Sequence, residues 1–268
     1  MSSDEKDNWS AEKYNKSAFF VYSDAYTQPI LDLLKLKQGE RVIDIGCGTG
    51  ELSVRLQNFL GDDGILVGVD ASEDMLKRAR ENGLKNSFCC DAQNLILPEN
   101  FNHLTGTFDA VFTNATLHWC KRDPAAVVRA ARKLLRPGGR FVGEFGGYMN
   151  CTGVRSAMHQ VLLKRGLDPI PLDPWYFPRA QEYAKVLESQ GFEVQHASLH
   201  PRITPLPGHL NDWLYTFARN SALASMNDEE ARQMIQEISD ICEVDMKDES
   251  GGWGIMYVRL RFVAIRPE

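Results

Sequence analysis

The chain has 268 residues, and its composition is that of a folded globular protein. Hydrophobic residues make up 43% of the sequence and charged residues 25%, which excludes disorder as the main state. The net charge is −6, so we do not expect the uniformly basic face that non-specific nucleic-acid binding requires. Residues 1–16 lack the basic flank and apolar stretch of a secretory signal, and no apolar run is long enough to span a bilayer. These features predict a cytoplasmic α/β protein that acts without nucleic acid or membrane.

The six cysteines form no C-x-x-C pair, which is typical of reduced thiols in a cytoplasmic chain. Cys89 and Cys90 are adjacent, but no histidine or further cysteine lies at ligand spacing around them. We therefore predict buried thiols and no metal site.

From residue 40 onward, short β-branched runs alternate with helical stretches, the pattern of βαβ units in a mostly parallel sheet. The seven predicted strands are 41–45, 65–69, 86–90, 108–114, 141–145, 192–199 and 255–265. The predicted helices are 51–60, 73–80, 124–136, 154–165, 179–190, 210–219 and 228–244. Ser72 and Asp123 are expected to cap the second and third of these helices. The helices between the last two strands are expected to form a cap near the sheet edge.

A glycine-rich turn, D-I-G-C-G-T-G at residues 44–50, connects the first strand to the first helix. Such a turn allows a ligand to approach the backbone at the carboxyl edge of the sheet, although an ordinary strand-to-helix turn also favours glycine. Asp70 ends the second strand, where a carboxylate can accept hydrogen bonds from both hydroxyls of a ribose. Asp91 and Ala92 end the third strand, where they can meet an adenine.

A nicotinamide dinucleotide is the obvious alternative ligand, but its fingerprint is G-x-G-x-x-G, with the third glycine one position later. The residue after Gly50 is Glu51, whose carboxylate repels a diphosphate and tolerates a ligand that carries sulfonium and ammonium groups. Asp44 either faces that positive charge or caps the glycine turn.

The chain resembles the class I S-adenosylmethionine-dependent methyltransferases over roughly residues 14–146. The motifs that carry the resemblance are V-I-D-I-G-C-G-T-G (42–50), V-G-V-D-A-S (67–72) with Met75 following, C-D-A-Q (90–93), F-D-A-V-F-T-N (108–114) and L-L-R-P-G-G-R-F (134–141). The segment N-A-T-L-H-W (114–119) is similar to the small-molecule branch that contains trans-aconitate methyltransferase. The resemblance implies a Rossmann-like fold with a seven-stranded sheet and a helical cap insertion.

The resemblance also implies S-adenosylmethionine as the cofactor and assigns residues to it. Asp44 is expected near the ammonium group, Asp70 on the ribose and Asp91 with Ala92 on the adenine. The full set of implied cofactor-binding residues is Asp44, Gly46, Cys47, Gly48, Thr49, Gly50, Asp70, Ala71, Met75, Asp91, Ala92, Asn114 and Ala115. Residues 1–38 are expected to form a helical segment that closes over the cofactor, where Tyr14, Tyr22 and Tyr26 either take part in closure or pack internally. Residues 39–268 are expected to form one domain with cap elements at about 147–182 and 206–250.

The acceptor is expected to be a small molecule, and the branch favours O-methylation of a carboxylate, which is ionised at neutral pH and needs no base. N- or C-methylation and a catalytically silent cofactor-binding protein are the alternatives. His118 is the candidate base or acceptor-positioning donor, unless it only packs the loop with Trp119. Trp175, Tyr176 and Phe177 form either an aromatic wall over the acceptor or part of the core, with Arg179 available for an acidic group. Trp213 and Trp253 are expected in the core or cap, and the protein is expected to be a monomer or homodimer.

Overall fold

The computed structural model describes Ala11 and residues 23–268. Seven strands form one sheet in the order β3-β2-β1-β4-β5-β7-β6. The strands are β1 (Arg41–Ile45), β2 (Ile65–Asp70), β3 (Ser87–Cys89), β4 (Phe108–Asn114), β5 (Leu135–Gly146), β6 (Glu193–Pro205) and β7 (Gly254–Ile265). Strands β1 to β5 pair in parallel, whereas β7 is antiparallel to both β5 and β6. The prediction of a seven-stranded, mostly parallel α/β sheet is confirmed.

Nine α-helices of four or more residues accompany the sheet in the part of the chain that the structure describes. They are α1 (Asp24–Leu34), α2 (Glu51–Leu60), α3 (Glu73–Glu81), α4 (Pro124–Leu134), α5 (Thr152–Lys164), α6 (Pro169–Leu172), α7 (Ala180–Ser189), α8 (Leu210–Phe217) and α9 (Asp228–Met246). The predicted caps are present: Met75 N donates to Ser72 Oγ (3.2 Å), and Ala126 N donates to the Asp123 carboxylate (3.0 Å). Each cap satisfies an amide that the first helical turn would otherwise leave unpaired.

The central strands are apolar because helices cover both faces of the sheet. In β1, Val42, Ile43 and Ile45 are fully buried, and Asp44 is the one polar side chain of the strand's buried part. A continuous apolar run of this kind is typical of a central parallel strand. A carboxylate in such a run is therefore unusual and marks a position that packing does not explain.

Strands β5 and β6 are longer than the sequence indicates. β5 begins at Leu135, before the Pro137-Gly138-Gly139 segment, and its pairing with β4 shifts register between Phe108 and Ala110. β6 continues through Pro201 to Pro205 because it is the edge strand of the sheet, where a residue without an N–H group breaks no ladder. Its extension pairs with the first residues of β7.

Helices α5, α8 and α9, which we call the helical group, share one apolar cluster. Met158 of α5, Leu214 of α8 and Ile235 of α9 are fully buried in it. Helices α8 and α9 belong to the connection between β6 and β7, whose two ends, Pro205 and Gly254, pair with each other. Since β6 runs parallel to β5, both ends of this connection emerge at the carboxyl edge of the parallel strands. The helical group therefore lies beside that edge, in contact with Ala115 and Trp119.

The expected N-terminal closing segment lies mostly outside the described residues, as do Tyr14 and Tyr22. Tyr26, in α1, is described, and the Arg202 guanidinium lies 4.1 Å from the centre of its ring. Among the described residues, no helix combines the length and apolar character required to cross a bilayer.

Candidate active site

A cavity of about 210 Å³ opens at the carboxyl ends of β1, β2, β3 and β4. Eleven of the thirteen residues predicted to bind cofactor line it: Asp44, Gly46, Cys47, Gly48, Asp70, Ala71, Met75, Asp91, Ala92, Asn114 and Ala115. Further lining residues, which the motifs did not single out for the cofactor, are Leu52, Val69, Cys90, Gln93, Thr116, Trp119 and Cys120. The carboxyl edge of a doubly wound sheet is where such folds bind ligands. The predicted residues thus meet in one place.

The glycine turn forms one wall of this cavity. Gly46 has a φ of +78°, and a Cβ atom built there would lie 2.0 Å from Oγ1 of Thr116. Thr116 Oγ1 also donates to the Gly46 carbonyl (3.3 Å), which ties the turn to the loop after β4. Only glycine fits this position, because both the positive φ and the close approach exclude a side chain.

Two of the thirteen residues, Thr49 and Gly50, do not line the cavity. Thr49 is buried, and its hydroxyl donates to Glu51 (2.5 Å) at the first turn of α2. Gly50 precedes that helix at a φ of +83°, and a Cβ atom there would lie 2.8 Å from the Cβ of Ala79. Thr49 therefore stabilises the turn at the start of α2, and Gly50 allows α2 to pack closely against α3.

Asp70 is held rigidly at the end of β2. Gly48 N donates to its Oδ2 atom (2.9 Å), and Ser72 N donates to its Oδ1 atom (3.0 Å). The carboxylate is thus fixed in position by the backbone of the two loops that it joins.

Asp44 is a buried carboxylate, and among the described residues Ser53 is its hydrogen-bond partner, donating to Oδ2 (2.6 Å). Burial raises the pKa of Asp44 from 3.8 to about 7, with a counteracting effect from the Ser53 hydrogen bond and a further increase from Asp70. Within the described part of the chain, neither Lys nor Arg lines the cavity, whereas three aspartates do. A charge distribution of this kind favours a cationic ligand.

Asp91 lies at the outer end of the cavity and is already engaged. Its Oδ1 atom accepts from Gln93 N (2.9 Å), and its Oδ2 atom pairs with Arg122, a largely exposed side chain. The predicted contact of Asp91 with an adenine stays a prediction. Gln93 in turn accepts from Asp123 N (3.0 Å), which connects β3 to the start of α4.

A second, smaller cavity of about 40 Å³ adjoins the first, and Ala115 and Trp119 line both. Ala115 has a positive φ of 58°, and its N–H donates to Glu144 O (2.7 Å). The other residues that line the second cavity are largely aromatic and come from distant parts of the chain: His118, Asn150, Cys151, Trp175, Phe177, Trp213, Phe217, Tyr257 and Arg259. The left-handed backbone of Ala115, a strained conformation for alanine, thus lies where the two cavities meet.

Of the three aromatic residues predicted to form a wall over the acceptor, Trp175 and Phe177 line the second cavity and Tyr176 does not. Trp175 and Phe177 stack with ring centres 5.8 Å apart and line the second cavity, and the Trp175 amide donates to Asp173 (3.1 Å). Tyr176 does not line it: its N–H donates to His118 O (2.8 Å), and its ring packs in the core on the other side. Successive side chains of an extended segment point in opposite directions, so Tyr176 is a packing residue.

Arg179 is likewise turned away from the second cavity. Its guanidinium lies 3.7 Å from the centre of the Tyr148 ring, and it pairs with Glu182 of α7. Trp213, expected in the core or cap, is buried in the apolar cluster of the helical group and lines the second cavity. Its indole N–H donates to Tyr257 (2.7 Å). Arg259, on β7, is the arginine that lines the second cavity.

His118 is buried beside the junction of the two cavities. Gly146 N donates to its Nδ1 atom (3.3 Å). Burial, with a smaller effect of the Arg259 charge, lowers the pKa of His118 well below 6.5. The imidazole is therefore neutral at physiological pH. Because Nδ1 accepts a hydrogen bond, the proton resides on Nε2, which is a donor.

Comparisons with known proteins agree with this geometry. A family model described as a methyltransferase domain matches residues 43–143. An uncharacterized methyltransferase of Schizosaccharomyces pombe is 33% identical over 267 residues, covering 97% of this chain and 98% of its own length. A Bacillus halodurans structure assigned as a methyltransferase superposes with a TM-score of 0.62 at 17% identity, covering 91% of this chain and 100% of its own.

A structure with its cofactor bound shows the same fold. Haemonchus contortus phosphoethanolamine N-methyltransferase 2, in complex with S-adenosyl-L-methionine, superposes with a TM-score of 0.56 at 16% identity. The match covers 96% of this chain and 57% of that protein. The identity and coverage of the Schizosaccharomyces relative show the family. This chain belongs to the class I methyltransferases, enzymes that use S-adenosylmethionine as their cofactor.

Proposed function

We propose that this enzyme transfers a methyl group from S-adenosylmethionine to a carboxylate oxygen of a small molecule bound in the second cavity. The observation that carries the proposal is the hydrogen bond from Gly146 N to His118 Nδ1, which leaves the neutral imidazole with a donor at Nε2 and no free base nitrogen. An imidazole in this state cannot remove a proton from an acceptor that must be deprotonated before it reacts. A carboxylate is already ionised at neutral pH.

The residues of the first cavity fit S-adenosylmethionine. The cofactor carries ammonium and sulfonium charges, and the cavity has the carboxylates of Asp44 and Asp70 with no basic side chain among its described lining. Asp44 would hold the ammonium group, Asp70 the ribose hydroxyls, and the turn at Gly46 the methionine part. When bound, the cofactor supplies an electrophilic methyl group on a positively charged sulfur.

The residues at the junction would orient the acceptor. His118 Nε2–H can donate to one carboxylate oxygen and leave the other to accept the methyl group. Trp119 and Trp175 cover this junction and exclude water, which strengthens the attraction between the anionic acceptor and the positive sulfur. Alignment within an enclosed site is the main contribution that a protein can make to an in-line displacement.

The helical group supports the expected cap. Its helices fall within the two predicted cap elements, about 147–182 and 206–250, and contribute Trp213 and Phe217 to the second cavity. A cavity of about 40 Å³ enclosed by bulky rings suits a small molecule, and a base in a nucleic acid would need a far more open approach.

The proposal is tested by screening carboxylic acids, phenols and amines for methyl transfer with labelled cofactor. We expect a methyl ester, recognised by mass spectrometry and by its hydrolysis in alkali; an ether or a methylamine as the only product would refute carboxylate methylation.

His118→Gln and His118→Ala separate the two roles of the imidazole. The wild-type pH–rate profile does not, because the lowered pKa keeps His118 neutral near physiological pH in either role. Glutamine retains a donor and is not a base, so at saturating cofactor His118→Gln should retain at least tenfold more activity than His118→Ala. Equal losses in both variants would refute the role of His118 as an acceptor-positioning donor.

A further inference from the structure

Three arginines surround one glutamate behind the second cavity, and we call them, with that glutamate, the arginine cluster. Arg261 Nε donates to Glu144 Oε2 at 2.5 Å, whereas Arg202 and Arg259 approach Oε1 only to 3.9 and 4.0 Å. All four side chains are at least four-fifths buried. The cluster therefore has a formal excess of two positive charges in a region of low dielectric constant.

Arg202 and Arg259 each have a buried Nε atom without a hydrogen-bond partner among the described residues, and of the two, Arg259 is the one that lines the second cavity. Arg259 is 4% exposed, and none of its nitrogens donates to a described residue. Besides the 4.0 Å approach of its Nε atom to Glu144, its guanidinium carbon lies 4.6 Å from the centre of the Tyr257 ring. A buried guanidinium without an acceptor is costly, so its presence needs an explanation other than stability.

The position of Arg259 indicates what it faces. It lines the second cavity together with His118, Asn150 and Trp175, and it is absent from the lining of the first cavity. Ala115 and Trp119, which line both, mark the junction where methyl transfer would take place. Arg259 is thus separated from the junction and accessible from the acceptor's cavity.

We propose that Arg259 binds an anionic group of the acceptor that is not the group methylated. The acceptor then has two polar ends: one at His118, where the methyl group arrives, and a carboxylate or comparable planar anion on Arg259. The guanidinium fork matches such an anion in two parallel hydrogen bonds, while the aromatic rings enclose the body of the molecule. The inference rests on the proposed function only in taking the second cavity as the acceptor site.

Binding of simple probes tests this proposal without turnover. Benzoate and its neutral counterpart, benzyl alcohol, are titrated by calorimetry into the enzyme saturated with S-adenosylhomocysteine. We expect the wild type to bind benzoate at least tenfold more tightly than benzyl alcohol, and Arg259→Met to bind both equally. The matched control, Arg232→Met, removes an exposed charge on α9 and should retain the preference. A wild type without the preference, or an Arg259→Met variant that keeps it, would overturn the proposal.

Thermal unfolding separates ligand binding from a structural role of Arg259. Because Arg259 makes no close ion pair, Arg259→Met should melt at or above the wild-type temperature, whereas Arg261→Met, which breaks the 2.5 Å contact with Glu144, should melt lower. An Arg259→Met variant that melts as low as Arg261→Met, or fails to fold, would assign Arg259 a structural role and overturn the inference.

Arg259→Lys keeps the charge and tests the contribution of the planar guanidinium. Lysine cannot form the planar fork, so we expect severalfold weaker binding of benzoate; unchanged affinity counts against the proposal. The failure of the proposed function is distinguishable, since a phenol or amine product with Arg259-dependent benzoate binding would refute carboxylate methylation alone.

Discussion

Cofactor affinity should depend on pH through Asp44. This carboxylate has a pKa of about 7 in the cofactor-free protein because it is buried. An ammonium group in contact with it would favour the ionised form. Below pH 7, binding then requires Asp44 to release its proton first. The affinity for S-adenosylhomocysteine, which carries the ammonium group and lacks the sulfonium, should therefore fall as the pH falls.

The magnitude follows from the pKa. Affinity should fall about tenfold for each pH unit below 7, as long as bound Asp44 stays ionised. The same shift affects stability: at 1.36 kcal/mol per pKa unit, a pKa of about 7 in place of 3.8 costs the folded, cofactor-free protein about 4 kcal/mol once Asp44 is ionised. Since the folded state holds this proton more tightly than the unfolded state, the Asp44 contribution should lower stability as pH rises from 4 to 7.

Calorimetry at pH 5.5, 6, 6.5 and 7 measures this dependence below the ordinary pKa of an α-amino group, about 7.7–8.0. Buffers of different ionisation enthalpy report the proton released on binding. Asp44→Asn keeps an acceptor for Ser53 and cannot ionise, so it should bind weakly with no pH dependence, and its cofactor-free form should be at least as stable as the wild type at pH 8. Asp62→Asn, in an exposed turn, should retain the wild-type slope. A pH-independent wild-type affinity, or an Asp44→Asn variant with the wild-type slope, would refute the reasoning.

Two further predictions concern the cofactor cavity. Gly46→Ala should abolish cofactor binding and destabilise the fold by more than the control Gly39→Ala. Both glycines have a positive φ, but of the two only Gly46 has a neighbour, Thr116, within 4 Å of an added Cβ. The control should lose about 1–2 kcal/mol of unfolding free energy, and equal losses in chemical denaturation would show that Thr116 moves to make room for the methyl group. Asp70→Asn should weaken binding of S-adenosylhomocysteine by about 1–3 kcal/mol, and a calorimetric dissociation constant equal to that of the wild type would remove Asp70 from the site.

The cofactor half of the molecule was predictable because its signals are local. The bounds of β1, β4 and α2 match the sequence prediction to the residue, since glycine turns and caps mark where those elements start and stop. The glycine turn is also a local signal, and it correctly predicts a cavity at the carboxyl end of β1. Thr49 was expected to bind the cofactor because of its motif position, but it does not line the cavity. Its hydroxyl donates to Glu51 at the start of α2.

The acceptor half depends on contacts between residues that are far apart in the chain. Alternation along β7 places Tyr257 and Arg259 on one face, yet the face that meets the second cavity depends on the antiparallel insertion of β7 between β5 and β6. No local pattern specifies that order. This order is the reason that Arg259, and not Arg179, lines the second cavity. By contrast, the two-residue period of an extended segment could have predicted that the side chains of Trp175 and Tyr176 point in opposite directions.

The paired ends of the β6–β7 connection have a consequence for how this enzyme can diversify. Pro205 and Gly254 pair with each other, so the connection is anchored like the loop of a hairpin, and its length does not enter the geometry of the sheet. Helices α8 and α9 can be exchanged for others while every strand keeps its partner. The family model ends at residue 143, within β5 and well before this connection. Grafting a relative's connection between these two residues should therefore transfer acceptor preference and leave cofactor affinity in place.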